Sequence, residues 1–398
     1  MKNFFHKIHN KLSSRPALSV FFIALLTRIL TAVSVHLFSE GTLFVDEKSY
    51  LSILEARRNN WVVNLPEYLI SDYQLNWSRL KGFYLPIDFL FRIFGQITFL
   101  AQIIPVFAGA ITAMAITLIL LKYTRTSTAL YAGILFAVYP SQVLWSSLVL
   151  RDSLVWMTIA LIFLTLRKWD ENTDRKNFLS YGLILSILII YLSFVRSNTM
   201  LIACIALLIA VAWKSKNFAT AKIFLLAILF IFVPFLADIG LAGQNLFKLA
   251  ADGLSSSRQM NSSGNLALKD PFSDMRLADL FYLPIGLRVM LLDPLPHQLQ
   301  QSYELILAFC ENLLWYPTLI FSGYGVFKMR KEMNSETAFL IFCTMGLIIK
   351  WSIFEGNFGT AFRHRSEFIW STIIFAAMGI EHWTERKSER KTISNQSS

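Results

Sequence analysis

Apolar runs of about 20 residues recur along almost the whole of this 398-residue chain, and they constrain its fold more than any other feature. An α-helix of that length crosses the hydrocarbon core of a membrane. The composition agrees, since 55% of the residues are hydrophobic and only 16% are charged, whereas about a quarter are charged in ordinary soluble domains. We therefore expect an all-α polytopic membrane protein that forms a single integral-membrane domain over residues 1–398.

The apolar runs predict about ten transmembrane helices. The expected helices cover residues 17–38, 97–121, 127–145, 150–168, 177–195, 197–213, 220–239, 303–327, 337–354 and 366–383. The basic segment that ends at Arg15 precedes an apolar run that is too long for the core of a signal peptide. We therefore expect the first helix to be retained.

The basic residues predict the orientation in the membrane. More than half of the 37 Lys and Arg residues lie in the N-terminal segment 1–16, in alternate short connections and in the tail 384–398. The positive-inside rule makes that face cytoplasmic, together with both termini. This placement also explains the net charge of +11 without a nucleic-acid partner.

Two long connections, 39–96 and 240–302, then lie on the outer face. Loops of this length in a compact protein usually carry function or are disordered. Their aromatic and apolar stretches are expected to form short helices at the membrane interface. The connection 240–302 fits a mobile lid as well as it fits a plain connector.

Charged and polar groups in and beside the outer connections are the candidate site. They are Asp46, Glu47, Arg151, Asp152, Arg196, Glu311, Arg363, His364 and Arg365, with Glu355, Arg28 and Lys350 in or near the spans. A charge in the hydrocarbon region costs about 2.5–3.5 kcal/mol on insertion scales, so a set on one side needs a reason. Arginine forks bind phosphate oxygens and a carboxylate can accept a proton from a hydroxyl. Together they favour transfer from a phosphate leaving group to an alcohol.

Each group also has a structural interpretation. The pair Asp46 and Glu47 fits a solvated loop. An ion pair between Arg151 and Asp152 would cap the fourth helix, because an aspartate is favourable at a helix start. The arginines of the run 363–365 fit interfacial anchors.

The sequence indicates no disulfide and no metal site built from its cysteines. Cys204, Cys310 and Cys343 all fall inside apolar runs, without metal-ligand spacing. His364 has no partner histidine nearby in the sequence, and Glu311, in an aromatic context, fits a buried hydrogen-bonding group. The pattern requires no cofactor and leaves a divalent cation open.

A first span followed by the outer pair Asp46 and Glu47 resembles the GT-C superfamily of integral-membrane glycosyltransferases. The branch it is most similar to holds the protein O-mannosyltransferases and the bacterial lipid A aminoarabinose transferases. Further stretches are similar to bacterial members from polysaccharide gene clusters: Tyr139-Pro140-Ser141 through Trp145-Ser146-Ser147 to Arg151-Asp152-Ser153, Leu283-Pro284-Ile285-Gly286-Leu287 through Leu292-Asp293-Pro294, Glu311 with Trp315-Tyr316, and Gly359-Thr360-Ala361-Phe362-Arg363-His364-Arg365.

The resemblance implies an enzyme that takes a sugar from a polyprenyl-phosphate donor in the outer leaflet and passes it to an acceptor hydroxyl, usually with inversion. By resemblance, Asp46 is the general base and Glu47 binds or orients the acceptor. Arg363 and Arg365, then Arg196, hold the donor phosphate. The remaining candidate residues are expected to bind substrate: Arg151, Asp152, Glu311 and His364. A bacterial inner membrane is implied as well.

The sequence given ends soon after the Arg-x-Arg element, whereas many relatives carry a large soluble C-terminal domain. This departure favours a lipid-linked or polysaccharide acceptor over a peptide. The sugar, the acceptor, metal dependence and the oligomeric state stay open.

Two other functions remain. An O-antigen or exopolysaccharide polymerase or ligase would use a polyprenyl-diphosphate-linked donor, and its arginine-based chemistry does not need the early Asp46-Glu47 pair. A transporter of lipid-linked sugars would place its polar site near the midplane of the membrane, with broken helices in corresponding halves. A glycosyltransferase requires Asp46 to face the same cavity as Arg363 and Arg365, whereas a transporter does not.

Overall fold

The computed structural model describes residues 12–39, 41–58, 80–171, 174–214, 222–223, 226–227, 268, 278–301 and 303–396. The elements within these residues are helices, in chain order α1 (Pro16–Ser39), α2 (Val45–Arg58), α3 (Lys81–Phe94), α4 (Thr98–Leu120), α5 (Thr126–Val138), α6 (Pro140–Ser146), α7 (Asp152–Glu171), α8 (Arg175–Lys214), α9 (Ala278–Leu292), a 3₁₀ helix (Pro296–Gln301), α10 (Tyr303–Met329), α11 (Ser335–Phe354) and α12 (Phe358–Gln396).

Five of the described helices are long and apolar enough to cross a membrane, and they cover Pro16–Ser39, Thr98–Leu120, Lys176–Lys214, Leu305–Met329 and Ser335–Phe354. A sixth results if α5 and α6, which meet at an angle of 58°, form one broken span. The chain is therefore an integral membrane protein that is all-helical over the residues the structure describes, as its composition predicts.

The expected count of about ten spans stays a prediction. Helices α7 and α12 cover the expected spans 150–168 and 366–383. Most of the expected span 220–239 and much of the two long connections lie outside the described residues. Helix α3 exposes the apolar side chains of Leu85 and Phe89 on one side and buries Phe83 and Ile87 on the other. Its expected position at the membrane interface stays a prediction.

The break between α5 and α6 follows from Pro140. Proline lacks a backbone N–H and disfavours helical geometry in the residue before it. Tyr139 accordingly has extended backbone angles, φ −65° and ψ 122°. The expected span 127–145 is thus two helices rather than one.

Two buried charges satisfy the backbone groups that this break leaves open. The Ala137 carbonyl at the end of α5 accepts hydrogen bonds from Thr27 Oγ1 at 2.9 Å and Arg28 Nη1 at 3.1 Å. The Ser141 amide at the start of α6 donates to Glu311 Oε2 at 2.6 Å. A cation at a helix C-terminus and an anion at a helix N-terminus are both favourable. The break is therefore held by side chains from α1 and α10.

Helix α8 contains a second break, at Arg196, whose backbone angles are φ −159° and ψ 90°. This residue lies between the expected spans 177–195 and 197–213. The Val195 carbonyl beside the break accepts a hydrogen bond from Arg151 Nη1 at 3.0 Å. The break in α8 therefore contacts the connection between α6 and α7.

At the opposite end of the helices from Arg151 and Arg196, ion pairs join residues of different connections and helices. Lys122 contacts Glu171 at 2.9 Å and Glu336 at 2.8 Å, and Arg125 contacts Glu381. These residues belong to connections that the basic residues assign to one face of the membrane. The structure places them together, away from the Asp46 region.

Candidate active site

Asp46 and Arg363 meet at one end of the helices. Asp46 lies in the first turn of α2, and its Oδ2 accepts a hydrogen bond from Arg363 Nη1 in the first turns of α12. The Asp46 side chain is 55% exposed, whereas that of Arg363 is only 12% exposed. The expected general base and one expected phosphate ligand are therefore neighbours, although 317 positions separate them in the chain.

Asp152 joins two arginines behind this contact. It is the fully buried first residue of α7. Its Oδ2 accepts hydrogen bonds from Arg363 Nε at 3.1 Å and Nη2 at 2.8 Å, and its Oδ1 accepts one from Arg196 Nη2 at 3.1 Å. The ion-pair interpretation of Arg151 with Asp152 is therefore wrong, because Asp152 pairs with Arg196 and Arg363 instead.

Glu367 extends this network of ion pairs into the interior of the protein. This buried carboxylate pairs with Arg196 and lies 3.9 Å from Lys350 Nζ. Thr199 Oγ1 donates to Glu367 at 3.1 Å and accepts from Lys350 Nζ at 3.0 Å. The carboxylate–arginine cluster, as we name it, consists of Asp46, Asp152, Arg196, Arg363 and Glu367.

Sequence reasoning missed Glu367 and Thr199 as members of the site. A signal for Glu367 exists, since it follows Arg363 by four positions and residues i and i+4 share one face of a helix. Because the last span is expected to begin at residue 366, Arg363 is not expected on the same helix as Glu367. Helix α12 begins at Phe358, so Arg363 is already helical.

Arg151 lies beside the cluster but outside its ion pairs. Its Nη1 donates to the Val195 carbonyl, and its side chain is half-buried with Nε unpartnered. Across the described ranges, no carboxylate lies within ion-pair distance of Arg151. The positive charge of Arg151 is thus available to an anion.

Glu47 is fixed by the backbone. Its Oε1 accepts from the amides of Leu43 and Phe44 at 2.9 and 3.1 Å, and its Oε2 accepts from the amide of Val149 at 3.0 Å. Burial raises the pKa of Glu47, against the effect of these three hydrogen bonds. The contacts favour a role in fastening the Asp46 segment to the connection before α7.

The Arg365 side chain does not contact the carboxylate–arginine cluster. Its Nε donates to the Met290 carbonyl at 2.9 Å, its Nη1 donates to Asn312 Oδ1 at 2.8 Å, and its Nη2 donates to the Asp293 carbonyl. The residue is only 1% exposed, and its guanidinium lies 5.4 Å from the centre of the Trp315 ring. These contacts favour a structural role, so the expectation that Arg365 holds a phosphate remains a prediction that they do not support.

His364 holds the turn that leads into α12. Its Nδ1 lies 2.7 Å from Glu355 Oε2, and its ring stacks on Trp351 with 3.5 Å between centroids and 12° between planes. Glu355 also accepts a hydrogen bond from Thr360. Burial lowers the pKa of His364 to about 4, so the imidazole is neutral at pH 7.

The expected site residues thus divide into two groups. The structure brings together Asp46, Asp152, Arg196 and Arg363, with Arg151 beside them. Glu311 instead binds the start of α6 at the helix break. Glu47 and His364 brace neighbouring turns.

The donor set of the cluster does not fit a metal ion well. Among the described residues, no group of three or more His, Cys, Asp or Glu side chains is arranged to hold one. Asp46, Asp152 and Glu367 each have a cationic partner. A divalent cation would have to displace a cationic side chain from one of these carboxylates.

Comparison with known proteins gives a match at the level of fold. No protein-family model matches the chain, and no curated protein matches it in sequence. The crystal structure of the Archaeoglobus fulgidus oligosaccharyltransferase tethered to an acceptor peptide with the NVT sequon matches with a TM-score of 0.54 and 14% identity, over 93% of this chain and 50% of that chain. The apo form of that enzyme gives 0.49 and 12%, over 96% and 52%.

This chain therefore spans about half the length of the solved structures that it matches. The identity is too low to carry an activity across, but the likeness to the tethered form shows a shared fold. Membership of the GT-C superfamily, which the sequence resemblance implies, stays a prediction.

Proposed function

We propose that this chain is a glycosyltransferase that moves a sugar from a polyprenyl-phosphate donor to a hydroxyl group of a lipid-linked or polysaccharide acceptor. The observation that carries the proposal is the contact between exposed Asp46 and Arg363, whose other nitrogens are held by buried Asp152. It combines a solvent-accessible carboxylate with a fixed guanidinium. Such a pair suits proton removal next to a phosphate leaving group.

The reaction follows from these roles. The acceptor oxygen attacks the anomeric carbon, and the bond from that carbon to the phosphate oxygen breaks with its electron pair going to the phosphate. Asp46 takes the proton of the acceptor hydroxyl. A single displacement of this kind inverts the anomeric carbon. The products are a glycosylated acceptor and a polyprenyl phosphate.

Two arginines are assigned to the phosphate. Arg151 has no carboxylate partner among the described residues, and Arg363 has one nitrogen, Nη1, that does not bond to Asp152. Charge-assisted hydrogen bonds from guanidinium groups stabilise the charge that develops on a leaving phosphate. Arg196, which is buried between Asp152 and Glu367, is assigned to holding Asp152 in place.

We further propose that the cluster lies on the outer face of a bacterial inner membrane, with both termini in the cytoplasm. The connections rich in lysine and arginine support this orientation, because their residues Lys122 and Arg125 form ion pairs away from the Asp46 region. Membrane lipids and the lipid-linked donor are then the partners of the site.

Two other functions are a polymerase or ligase, which would consume a different donor, and a transporter, which would move a lipid-linked sugar without transferring it. A polymerase or ligase with a diphosphate-linked donor would use the same arginines.

The helix breaks at Pro140 and Arg196 favour a transporter, since broken helices often form transporter sites. However, the carboxylate–arginine cluster includes exposed Asp46 at a helix start, which suits a reaction at the membrane surface better than binding at the midplane.

The test is sugar transfer by the purified full-length chain in lipid, with radiolabelled polyprenyl-monophosphate sugars as donors. The wild type is compared with Asp46→Asn and with Asp88→Asn, which removes a carboxylate that pairs with Arg92 on α3. We expect the wild type and Asp88→Asn to consume the donor, and Asp46→Asn to be slower by about 100-fold or more.

Near-normal turnover by Asp46→Asn would show that Asp46 is not the base. Consumption of a diphosphate-linked oligosaccharide alone would identify a polymerase or ligase. Movement of labelled lipid across the membrane without transfer would identify a transporter.

A further inference from the structure

We propose that the contact between Arg363 and Asp46 is an autoinhibitory gate that a lipid phosphate opens by taking Arg363 Nη1 from Asp46. This inference rests on the proposed function, and it adds an order of events to it. The donor binds first, and its binding releases the carboxylate that later accepts the proton of the acceptor.

The geometry of Arg363 divides its nitrogens into two sets. Nε and Nη2 donate to Asp152 Oδ2 at 3.1 and 2.8 Å, and Asp152 is fully buried. Nη1 donates to Asp46. An anion that approaches from the exposed side therefore meets Nη1 and competes with Asp46, while Asp152 keeps the guanidinium in place.

The two contacts differ in strength, and this difference decides which one opens. Breaking a buried ion pair leaves an uncompensated buried charge, which costs much more than breaking an exposed pair. The Asp46 side chain is 55% exposed, so water and salt screen its attraction to Arg363. The exposed contact is the one that yields to an incoming phosphate.

Arg151 gives the anion a second partner. Its half-buried guanidinium donates to the Val195 carbonyl, and that residue directly precedes Arg196 of the cluster. Asp46 lies on the exposed side of Arg363. With a phosphate bound between Arg151 and Arg363, the Asp46 carboxylate is free of its cation and turns to the acceptor hydroxyl. A neutral ligand without a phosphate would leave the gate closed.

The gate predicts that loss of the proposed base raises the affinity for the donor phosphate. Removing the proposed base should strengthen donor binding, because Asp46 competes with the phosphate for Arg363. We expect Asp46→Asn to bind a lipid phosphate about two- to fivefold more tightly than the wild type, the range expected for loss of an exposed ion pair. A base that lies farther from the phosphate than the Debye length of about 10 Å would leave that affinity unchanged.

The experiment measures the binding of sugar-free decaprenyl phosphate to the full-length chain in lipid nanodiscs, so that no transfer is required. Asp88→Asn is the matched control, since it also removes one negative charge from a carboxylate–arginine pair but does not contact Arg363. We expect its affinity to equal that of the wild type. Thermal midpoints of all three proteins verify that each one is folded.

Equal or weaker binding by Asp46→Asn, with clear binding by the wild type, would overturn the gate and leave the proposed function standing. Equal strengthening in Asp88→Asn would overturn it too, since bulk charge would then explain the effect. No binding by any of the three proteins would remove both the gate and the lipid-phosphate donor.

Discussion

Arg363 and Arg365 lie two residues apart on one helix, yet their guanidinium groups bind unrelated partners. Arg363 contacts the carboxylates of Asp46 and Asp152, whereas Arg365 donates to the backbone carbonyls of Met290 and Asp293. Two positions on an α-helix differ by about 200° in direction, so these side chains leave on nearly opposite faces. An Arg-x-Arg element in a helix therefore supplies one arginine to the cluster and one to the support of α9.

This division predicts different losses for the two arginines. Arg365→Lys should lower the thermal midpoint by several degrees, because a lysine amine cannot reach all three oxygens and a buried unpaired carbonyl costs about 1–3 kcal/mol. The folded fraction should bind decaprenyl phosphate as the wild type does. Arg363→Lys should weaken that binding with a smaller change in midpoint.

Thermal unfolding and lipid-phosphate binding are measured on the same nanodisc samples. If Arg365→Lys kept the wild-type midpoint and lost binding, Arg365 would be a phosphate ligand, as the resemblance implies.

Much of the fold follows from the sequence because it depends on local patterns. The apolar runs predict helices that agree closely with Pro16–Ser39, Thr98–Leu120 and Ser335–Phe354. Pro140 also carries a local signal for a helix break, its missing N–H, although the apolar pattern predicts one unbroken span over 127–145. Each of these features depends on residues that are neighbours in the chain.

The interior of the candidate site does not follow in the same way. Asp46 and Arg363 can be chosen from charge alone, but their contact depends on how α2 and α12 pack. The same limit explains why Glu311, an expected site residue, lies outside the cluster, while Glu367, which is not expected there, belongs to it. Glu311 stands out in the sequence yet binds the start of α6, whereas Glu367 lies in an apolar run and joins the cluster. Periodicity indicates which residues share a face, but not which face meets which.

Glu367 gives a prediction that tests the inner part of the cluster. Glu367→Gln should lower stability strongly, because Arg196 and Lys350 then lack their shared carboxylate in a buried environment. Removing one partner of a buried pair typically costs about 3–5 kcal/mol. Adding Lys350→Met should restore part of the loss, since one uncompensated cation disappears.

The measurement is a double-mutant cycle on the thermal midpoint. Additive losses in the double variant would show that Lys350 and Glu367 do not interact. Lys350→Met with Asp88→Asn serves as the unrelated pair, and for it we expect additivity.

The crossing of α10 and α12 gives the last prediction, which concerns packing between helices within the membrane. Gly325 on α10 faces the backbone of α12, and a Cβ there would collide with the carbonyl oxygen of Phe375. Gly379 on α12 meets the carbonyl oxygen of Phe321 in the same way. Small residues at such crossings allow the two backbones to approach each other.

Gly325→Ala should therefore destabilise the protein by about 1–3 kcal/mol, the usual cost of forcing a methyl group into a packed contact. Gly323, on the same helix, is the matched control because a Cβ at that position meets no atom within 4 Å. Gly323→Ala should change stability by less than about 1 kcal/mol, since only the preference for a helical backbone differs. Equal midpoints for the two variants would contradict the close approach of α10 to α12. Since α12 carries Arg363, a shifted crossing should also weaken lipid-phosphate binding in Gly325→Ala and leave it unchanged in Gly323→Ala.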